Sequence, residues 1–239
     1  MANYAVEWDK VGERLYEIGV DRGMLYELNN SGNYINGVAW SGLSQVTAKP
    51  EGADVNEIWA DNMKYLSIRA AEKFGATIEC YSYPDEFKKY NGEVELTAGV
   101  TINAQTRNAF GFCYRSRIGN DLKFQDYGYK IHLIYNATAS PSERSYGTIN
   151  DSTDVETMSF DIDTTAIPVS ITVGGTTTEY KPTSYIVIDS TKFTTEPQKA
   201  KLAQFEQKLY GTAASGQTPA VTPVMPLPAA VYTDLAPEG

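Results

Sequence analysis

The sequence contains a single histidine, His132, and only two cysteines, Cys80 and Cys113, among its 239 residues. One histidine excludes a metal site built from several histidines, and it leaves His132 as the sole possible base of a serine–histidine–aspartate triad. Two cysteines cannot form a disulfide framework, and these two are too far apart for a CxxC motif. Both lie in apolar strand patterns, so we expect small, buried side chains. We therefore predict no catalytic, cofactor-binding or metal-binding residue and no enzymatic activity.

Positive charge and long hydrophobic runs are also scarce. The chain has 20 Lys and Arg against 30 Asp and Glu, which gives a formal net charge of −10. A protein that grips nucleic acid usually presents a basic surface to the phosphates, so we do not expect specific nucleic-acid binding. No run approaches the roughly 18 apolar residues of a membrane span, and the first residues contain no signal-peptide pattern. We expect a soluble protein that is made in a cytoplasm.

Tyrosines and short alternating segments are abundant. The sequence has 17 Tyr against 8 Phe and 3 Trp, and tyrosine suits half-buried strands and interfaces. Many short segments alternate polar and apolar residues, which is typical of strands. They predict a mainly β fold of two packed antiparallel sheets, a β-sandwich or partial barrel, with a flanking C-terminal helix and a long projecting hairpin.

The projecting hairpin is predicted at about residues 51–70. Its two sides are residues 55–60 and 64–70, with Asp61 and Asn62 as turn formers. An arm of this length cannot bury itself against its own small domain. We therefore predict that it contacts other subunits through the residues at its tip, which are Trp59, Asp61, Asn62, Met63 and Tyr65. The following strand, residues 76–83, has Ile78 and Cys80 on its core face.

One helix is predicted at residues 196–210. Thr195 can cap it and Gln198 can complete a capping box, while Leu202, Phe205 and Leu209 form one apolar stripe. We assign residues 1–211 to a single β domain. Residues 212–239 form a Pro/Ala-rich extension that is expected to be extended or disordered, because its composition cannot bury a core alone.

Four further segments have less regular patterns. Residues 1–23 predict an N-terminal arm with a short strand, and residues 34–49 predict one strand with bends at its glycines. Residues 84–90 predict a short helix. Residues 93–105 predict one strand whose inward side chains are Val94, Leu96, Ala98, Val100 and Ile102.

Acidic side chains form two pairs with the spacing of one strand face. Asp161 and Asp163 are one pair, and Glu93 and Glu95 are the other. Two facing carboxylates could serve a glycosidase, but outward acids are common in β proteins and mostly confer solubility. The polar cluster at residues 150–154 lacks the glycine and glutamate spacing of an EF-hand, and we predict a turn there.

Several stretches resemble the major tail proteins, or tail tube subunits, of long-tailed phages and prophages of Gram-positive bacteria. The resemblance covers roughly residues 5–211. It rests on residues 8–26 (WDKVGERLYEIGVDRGMLY), 37–54 (GVAWSGLSQVTAKPEGAD), 60–87 (ADNMKYLSIRAAEKFGATIECYSYPDEF), 106–121 (TRNAFGFCYRSRIGND), 128–152 (GYKIHLIYNATASPSERSYGTINDS) and 181–191 (KPTSYIVIDST), and on the LYG that ends the helix.

The resemblance implies a virion protein. Six copies would close into a ring, and rings would stack into a tube around the tape-measure protein. The tail terminator and distal tail proteins would be further partners, and DNA would pass through without specific binding. An acidic wall would repel phosphates. Asp161, Asp163, Glu93 and Glu95 are our candidates for acids that face the lumen.

Two other functions stay open at this stage. A soluble β-sandwich could recognise surface glycan or decorate a particle, with exposed tyrosines that stack on sugar. A hydrolase on a similar scaffold could use the pair Asp161 and Asp163.

Overall fold

The computed structural model describes residues 6–52, 54–148, 155–216 and 219–236. Within these residues the chain forms fourteen strands and two α-helices. The strands are β1 Leu15–Leu28, β2 Tyr34–Trp40, β3 Leu43–Gly52, β4 Val55–Ala60, β5 Met63–Arg69, β6 Glu72–Cys80, β7 Val94–Thr97, β8 Val100–Ile102, β9 Phe110–Asn120, β10 Phe124–Ala139, β11 Met158–Thr164, β12 Ile167–Val173, β13 Thr176–Thr183 and β14 Tyr185–Asp189. The helices are α1 Glu196–Tyr210 and α2 Pro228–Leu235.

Eight strands form one large antiparallel sheet. Its order is β2-β1-β9-β10-β11-β6-β3, and β14 pairs with β10 beside this path. The other six strands form three separate hairpins, which are β4–β5, β7–β8 and β12–β13. These three ribbons are therefore not part of the hydrogen-bonded large sheet.

The large sheet folds over on itself around an inner cluster of buried side chains. The ring of Trp40 on β2 lies 5.4 Å from that of Phe112 on β9 and 6.3 Å from that of Phe160 on β11. β2 and β11 are four strands apart in the sheet, so these contacts require strong curvature. Two packed layers therefore arise from one sheet that stays open, which confirms the predicted β-sandwich class. The inner cluster also contains Ile78 and Cys80, as predicted.

An outer cluster lies on the opposite face of β1, β9, β10 and β14, where the helices cover it. α1 contributes Leu202, Phe205 and Leu209, the three residues of the predicted stripe. The helix has the predicted bounds, and both hydrogen bonds of the Thr195–Gln198 capping box are present. Cys113 lies in this cluster and Cys80 in the inner one, both fully buried and free.

The C-terminal segment differs from its prediction. Residues 219–236 are not merely extended or disordered, because they pack on the outer cluster and include α2. Met225 and Val231 are buried there. The Tyr135 hydroxyl donates to the carbonyl of Pro226 at 2.9 Å, and the amide of Gly37 donates to that of Pro223 at 3.0 Å. A Cβ at residue 37 would lie 2.6 Å from the Pro223 side chain, so only glycine permits this approach. The boundary after residue 211 stays a prediction, since packing alone does not show which part folds independently.

Residues 93–105 also differ from their prediction. They form the hairpin β7–β8 instead of one inward-facing strand, because the chain reverses at Gly99, whose φ is +79°. Every residue of both strands is exposed. The alternating residues thus form the two faces of an exposed hairpin. The residues predicted to face inward do not pack against the large sheet; they are Val94, Leu96, Ala98, Val100 and Ile102.

Three smaller predictions are corrected as well. Residues 34–49 form two strands, β2 and β3, at opposite edges of the large sheet, because the chain bends between them at Gly42. The expected helix at residues 84–90 is a single 3-10 turn, Asp85–Phe87. The strand of the N-terminal arm is long, since β1 runs over 14 residues. The predicted turn at residues 150–154 lies outside the described residues.

Candidate subunit interface

The β4–β5 ribbon, which we call the arm, continues the β3–β6 pair outward. β3 and β6 pair as far as Gly52 and Glu72, and the amide of Ala70 donates to the carbonyl of Asp54 just beyond. The arm reverses at Asp61 and Asn62, whose φ angles are 52° and 61°. Two consecutive positive φ angles are what a tight type I′ hairpin requires, and Asp and Asn tolerate them. The predicted arm and its turn are therefore present.

The arm is exposed along its whole length. Every residue of β4 and β5 is exposed. At the tip, Trp59 is 63 % exposed, Met63 is 68 % exposed and Tyr65 is 75 % exposed. The structure thus brings the five predicted interface residues together at one projecting end. Their contact with another subunit stays a prediction.

The two faces of the arm differ in chemistry. Leu66 lies directly opposite Ile58, and Ile68 lies opposite Asn56, which places three aliphatic side chains on one face. On the other face Glu57 forms an ion pair with Lys64. A two-stranded ribbon is only marginally stable alone in water. The aliphatic face of the arm is thus left uncovered in the subunit.

Asp161 and Asp163 lie on β11 in the large sheet. The Lys49 ammonium lies 2.8 Å from the Asp161 carboxylate, and Thr77 donates a second hydrogen bond to it. These hydrogen bonds lower the pKa of Asp161. Asp163 accepts a hydrogen bond from the Ser140 hydroxyl at 3.1 Å. Asp161 is thus held as an ionised acceptor, which is unsuited to the proton donor of a glycosidase pair.

Glu93 and Glu95 belong to the β7–β8 region instead. Glu93 accepts from the Asn91 amide at 2.6 Å, and Glu95 accepts from the backbone amide of Gly99 at 3.0 Å. The four candidate lumen acids therefore lie on two different elements, and each has a local partner. Whether they share one wall of a lumen stays a prediction.

A cleft of about 320 Å³ lies beside the β7–β8 ribbon. The segment after β10 contributes Arg144 and Tyr146, the segment before β9 contributes Arg107, and β11 contributes Phe160. Neither arginine stands out in the sequence. No local pattern could have done so, because the cleft joins segments that are distant along the chain.

His132 lies at the centre of a buried polar network. Its Nε2 lies 2.8 Å from the Ser116 hydroxyl, its Nδ1 lies 2.6 Å from the Tyr185 hydroxyl, and its ring stacks on Tyr114 at 4.4 Å between centroids. Burial lowers the pKa of His132 from its ordinary 6.5 to about 4. The described residues contain no group of three His, Cys, Asp or Glu side chains that could hold a metal ion. The hydrogen bonds of His132 to Ser116 and Tyr185 join β9, β10 and β14.

This network predicts a pH dependence of stability. Between pH 6.5 and about 4, His132 binds a proton in the unfolded chain but not in the folded chain. Proton binding to the unfolded state favours unfolding, so the protein should lose stability as the pH falls through this window. The variant His132→Gln should lose less over the same window in urea unfolding at pH 7 and pH 4.5. Equal losses in both proteins would contradict the buried neutral state of His132.

Within the residues that the structure describes, none of the helices is both long and apolar enough to cross a membrane.

Comparisons with known proteins do not assign this chain to a family. No protein-family model matches the sequence, and no curated protein matches it. Solved structures do match, among them a chain of the "Cryo-EM structure of the anti-feeding prophage cap (AFP tube terminating cap)". That match has a TM-score of 0.30 and 11 % sequence identity, and it covers 79 % of this chain and 97 % of the other. A likeness at these values establishes neither a shared fold nor a shared function.

Proposed function

We propose that this chain is a structural subunit of the tail of a long-tailed phage or prophage, and specifically a tail tube subunit. The observation that carries the proposal is the arm, a ribbon whose every residue is exposed and whose tip presents Trp59, Met63 and Tyr65 to solvent. An exposed ribbon contributes no buried surface to the stability of a monomer, whereas contacts between subunits would bury it. The sequence resemblance to major tail proteins points to the same role.

The sheet edges support ring formation. β3 pairs only with β6, and β14 pairs only with β10, so each has an unpaired edge in the described part of the chain. Unpaired edges invite further strand pairing, and a closed ring satisfies them without open-ended aggregation. In the proposed assembly six copies close into a ring, and the arms tie each subunit to its neighbours.

Stacked rings would form the tube. They would enclose the tape-measure protein, meet the tail terminator and distal tail proteins at the two ends, and later conduct DNA. With a net charge of −10, the subunit is suited to repel phosphates rather than retain them. The subunit would act through assembly in the virion and not through catalysis.

Electron microscopy of the purified chain tests this function. At high protein concentration, or together with a tape-measure protein, we expect rings and tubes in negative stain. A monomer that never forms rings or tubes under either condition would contradict the proposal. If that dispersed monomer bound sugars on a glycan array, the alternative of a glycan-binding or decoration module would replace it.

A further inference from the structure

β2 is the last strand at one end of the large sheet, yet its outer edge is not free. β1 lies on one side of β2. On the other side the amide of Gly37 donates to the carbonyl of Pro223 at 3.0 Å, and the amide of Met225 donates to the carbonyl of Tyr34 at 3.2 Å. Tyr34 and Met225 thus form an antiparallel bridge. Residues 219–228, which we call the cover segment, therefore take the place of a further strand beside β2.

The cover segment does not present a new edge of its own. Three of the six residues 223–228 are prolines, which have no amide hydrogen. The amide of Met225 is donated to β2, and the amide of Val224 is donated to the carbonyl of Lys208 in α1 at 3.0 Å. Among these six residues the segment therefore offers at most one amide to another strand.

Two glycines make room for the cover segment. A Cβ at residue 37 would lie 2.6 Å from the Pro223 side chain, and a Cβ at residue 111 would lie 2.5 Å from the terminal methyl of Met225. Gly111 lies on β9, so the segment packs on the face of the sheet as well as along its edge. The side chain of Met225 is buried there. The sheet is thus shaped to hold this segment closely.

The composition of β2 explains why its edge needs a cover. Residues 34–40 (YINGVAW) contain no charged residue and no proline, and they are rich in aromatic and β-branched side chains. An uncovered strand of this kind is prone to pair with another chain. β3, at the opposite end of the sheet, contains Lys49, Pro50 and Glu51, and such residues limit unspecific pairing at an edge. β2 has no comparable protection in its own sequence.

We propose that the cover segment directs assembly by closing β2, so that strand pairing between copies is confined to β3 and β14. The partner that it excludes is β2 of a second copy, because two uncovered β2 edges would pair with each other. The segment stays in place in rings and tubes. The proposal rests on the proposed function, because it specifies which edges of the subunit take part in assembly. It is a role beyond the packing of the segment on the outer cluster.

A charge on β2 tests whether assembly uses this edge. Ala39 is exposed on β2, beyond the hydrogen bonds that Tyr34 and Gly37 form with the cover segment. Ala39→Lys in the full chain should therefore form tubes as the wild-type protein does, measured by sedimentation and electron microscopy. Loss of tubes in Ala39→Lys but not in Ala39→Gln would show that assembly uses β2, and it would overturn the proposal.

Release of the cover segment tests its protective role. The full-length double variant Val221→Pro/Val224→Pro removes two amides that bond the segment to the rest of the subunit, and it deletes no fully buried side chain. The amide of Gly37 should then exchange faster with deuterium, and non-tubular aggregate should increase about tenfold. Ala39→Lys in the double variant should suppress this aggregate, since a charged edge resists pairing, whereas Ala39→Gln should not.

The outcomes separate the two proposals. Unchanged tubes from a double variant whose Gly37 amide exchanges rapidly would overturn the role of the cover segment and leave the tail tube function standing. Aggregate on which Ala39→Lys and Ala39→Gln have equal effects would do the same. Wild-type protein that never assembles would overturn the tail tube function, while the release experiment would still decide whether the segment protects β2. Circular dichroism checks folding. Val224→Pro alone replaces the double variant if that does not fold, and Met225→Asp replaces it if the Gly37 amide stays protected.

Discussion

Replacing residues 53–71 by Asn-Gly is expected to give a folded monomer that forms neither rings nor tubes. Gly52 pairs with Glu72, so a two-residue loop can join β3 to β6 directly, and Asn-Gly suits such a loop. The deleted strands bury none of their residues, so the core loses nothing. The shorter connection lowers the cost of loop closure by at most about 2 kcal/mol. The free energy of unfolding should therefore stay equal or rise slightly, while assembly is lost.

Thermal unfolding, sedimentation and electron microscopy measure these two effects separately. A second variant, with alanine at Trp59, Met63 and Tyr65, keeps the backbone of the arm and should also lose assembly. Loss in the deletion but not in the alanine variant would show that the length of the arm matters and not its tip side chains. Normal tubes from the deletion variant would remove the assigned role of the arm altogether.

The elements that the sequence predicted well depend on local chemistry. The bounds of α1 follow from a capping box and an apolar stripe within fifteen residues. The arm follows from two alternating runs around Asp61 and Asn62, which adopt the positive φ angles of the turn. In both cases the residues that determine the element are neighbours in the chain, so a single sequence is sufficient.

The elements that the sequence predicted poorly depend on distant contacts. Alternation in residues 93–105 shows that a ribbon has an apolar face, but it does not show whether another layer covers that face. Gly37 is predicted to bend its strand, whereas in the structure it provides room for Pro223, more than 180 residues later. The cleft that Arg107 and Arg144 line forms only once residues 83–160 fold around it. The sequence therefore predicted the projecting tip of the arm but not the cleft.

Truncation of the chain after residue 211 should prevent stable folding. Residues 219–236 cover the outer cluster, and burial of Met225 and Val231 contributes about 1.5–3 kcal/mol each. The truncation also removes the acceptor of the Tyr135 hydroxyl and the ion pair between Lys208 and Asp234. The sum is comparable to the whole stability of a typical domain, about 5–15 kcal/mol. We expect aggregation or a loss of cooperative thermal unfolding.

Two point variants on the same segment make this prediction quantitative. Met225→Ala should lower the free energy of unfolding by about 2–5 kcal/mol, because it opens a cavity beside Tyr34 and Gly111. Tyr232→Ala, on the exposed side of α2, should change it by no more than about 0.5 kcal/mol. Urea unfolding of the purified variants measures both. A truncated chain with the wild-type unfolding midpoint, or equal effects of the two variants, would show that the segment rests on a core that is complete without it. In that case residues 1–211 would fold without residues 212–239, as the predicted division into a domain and an extension implies.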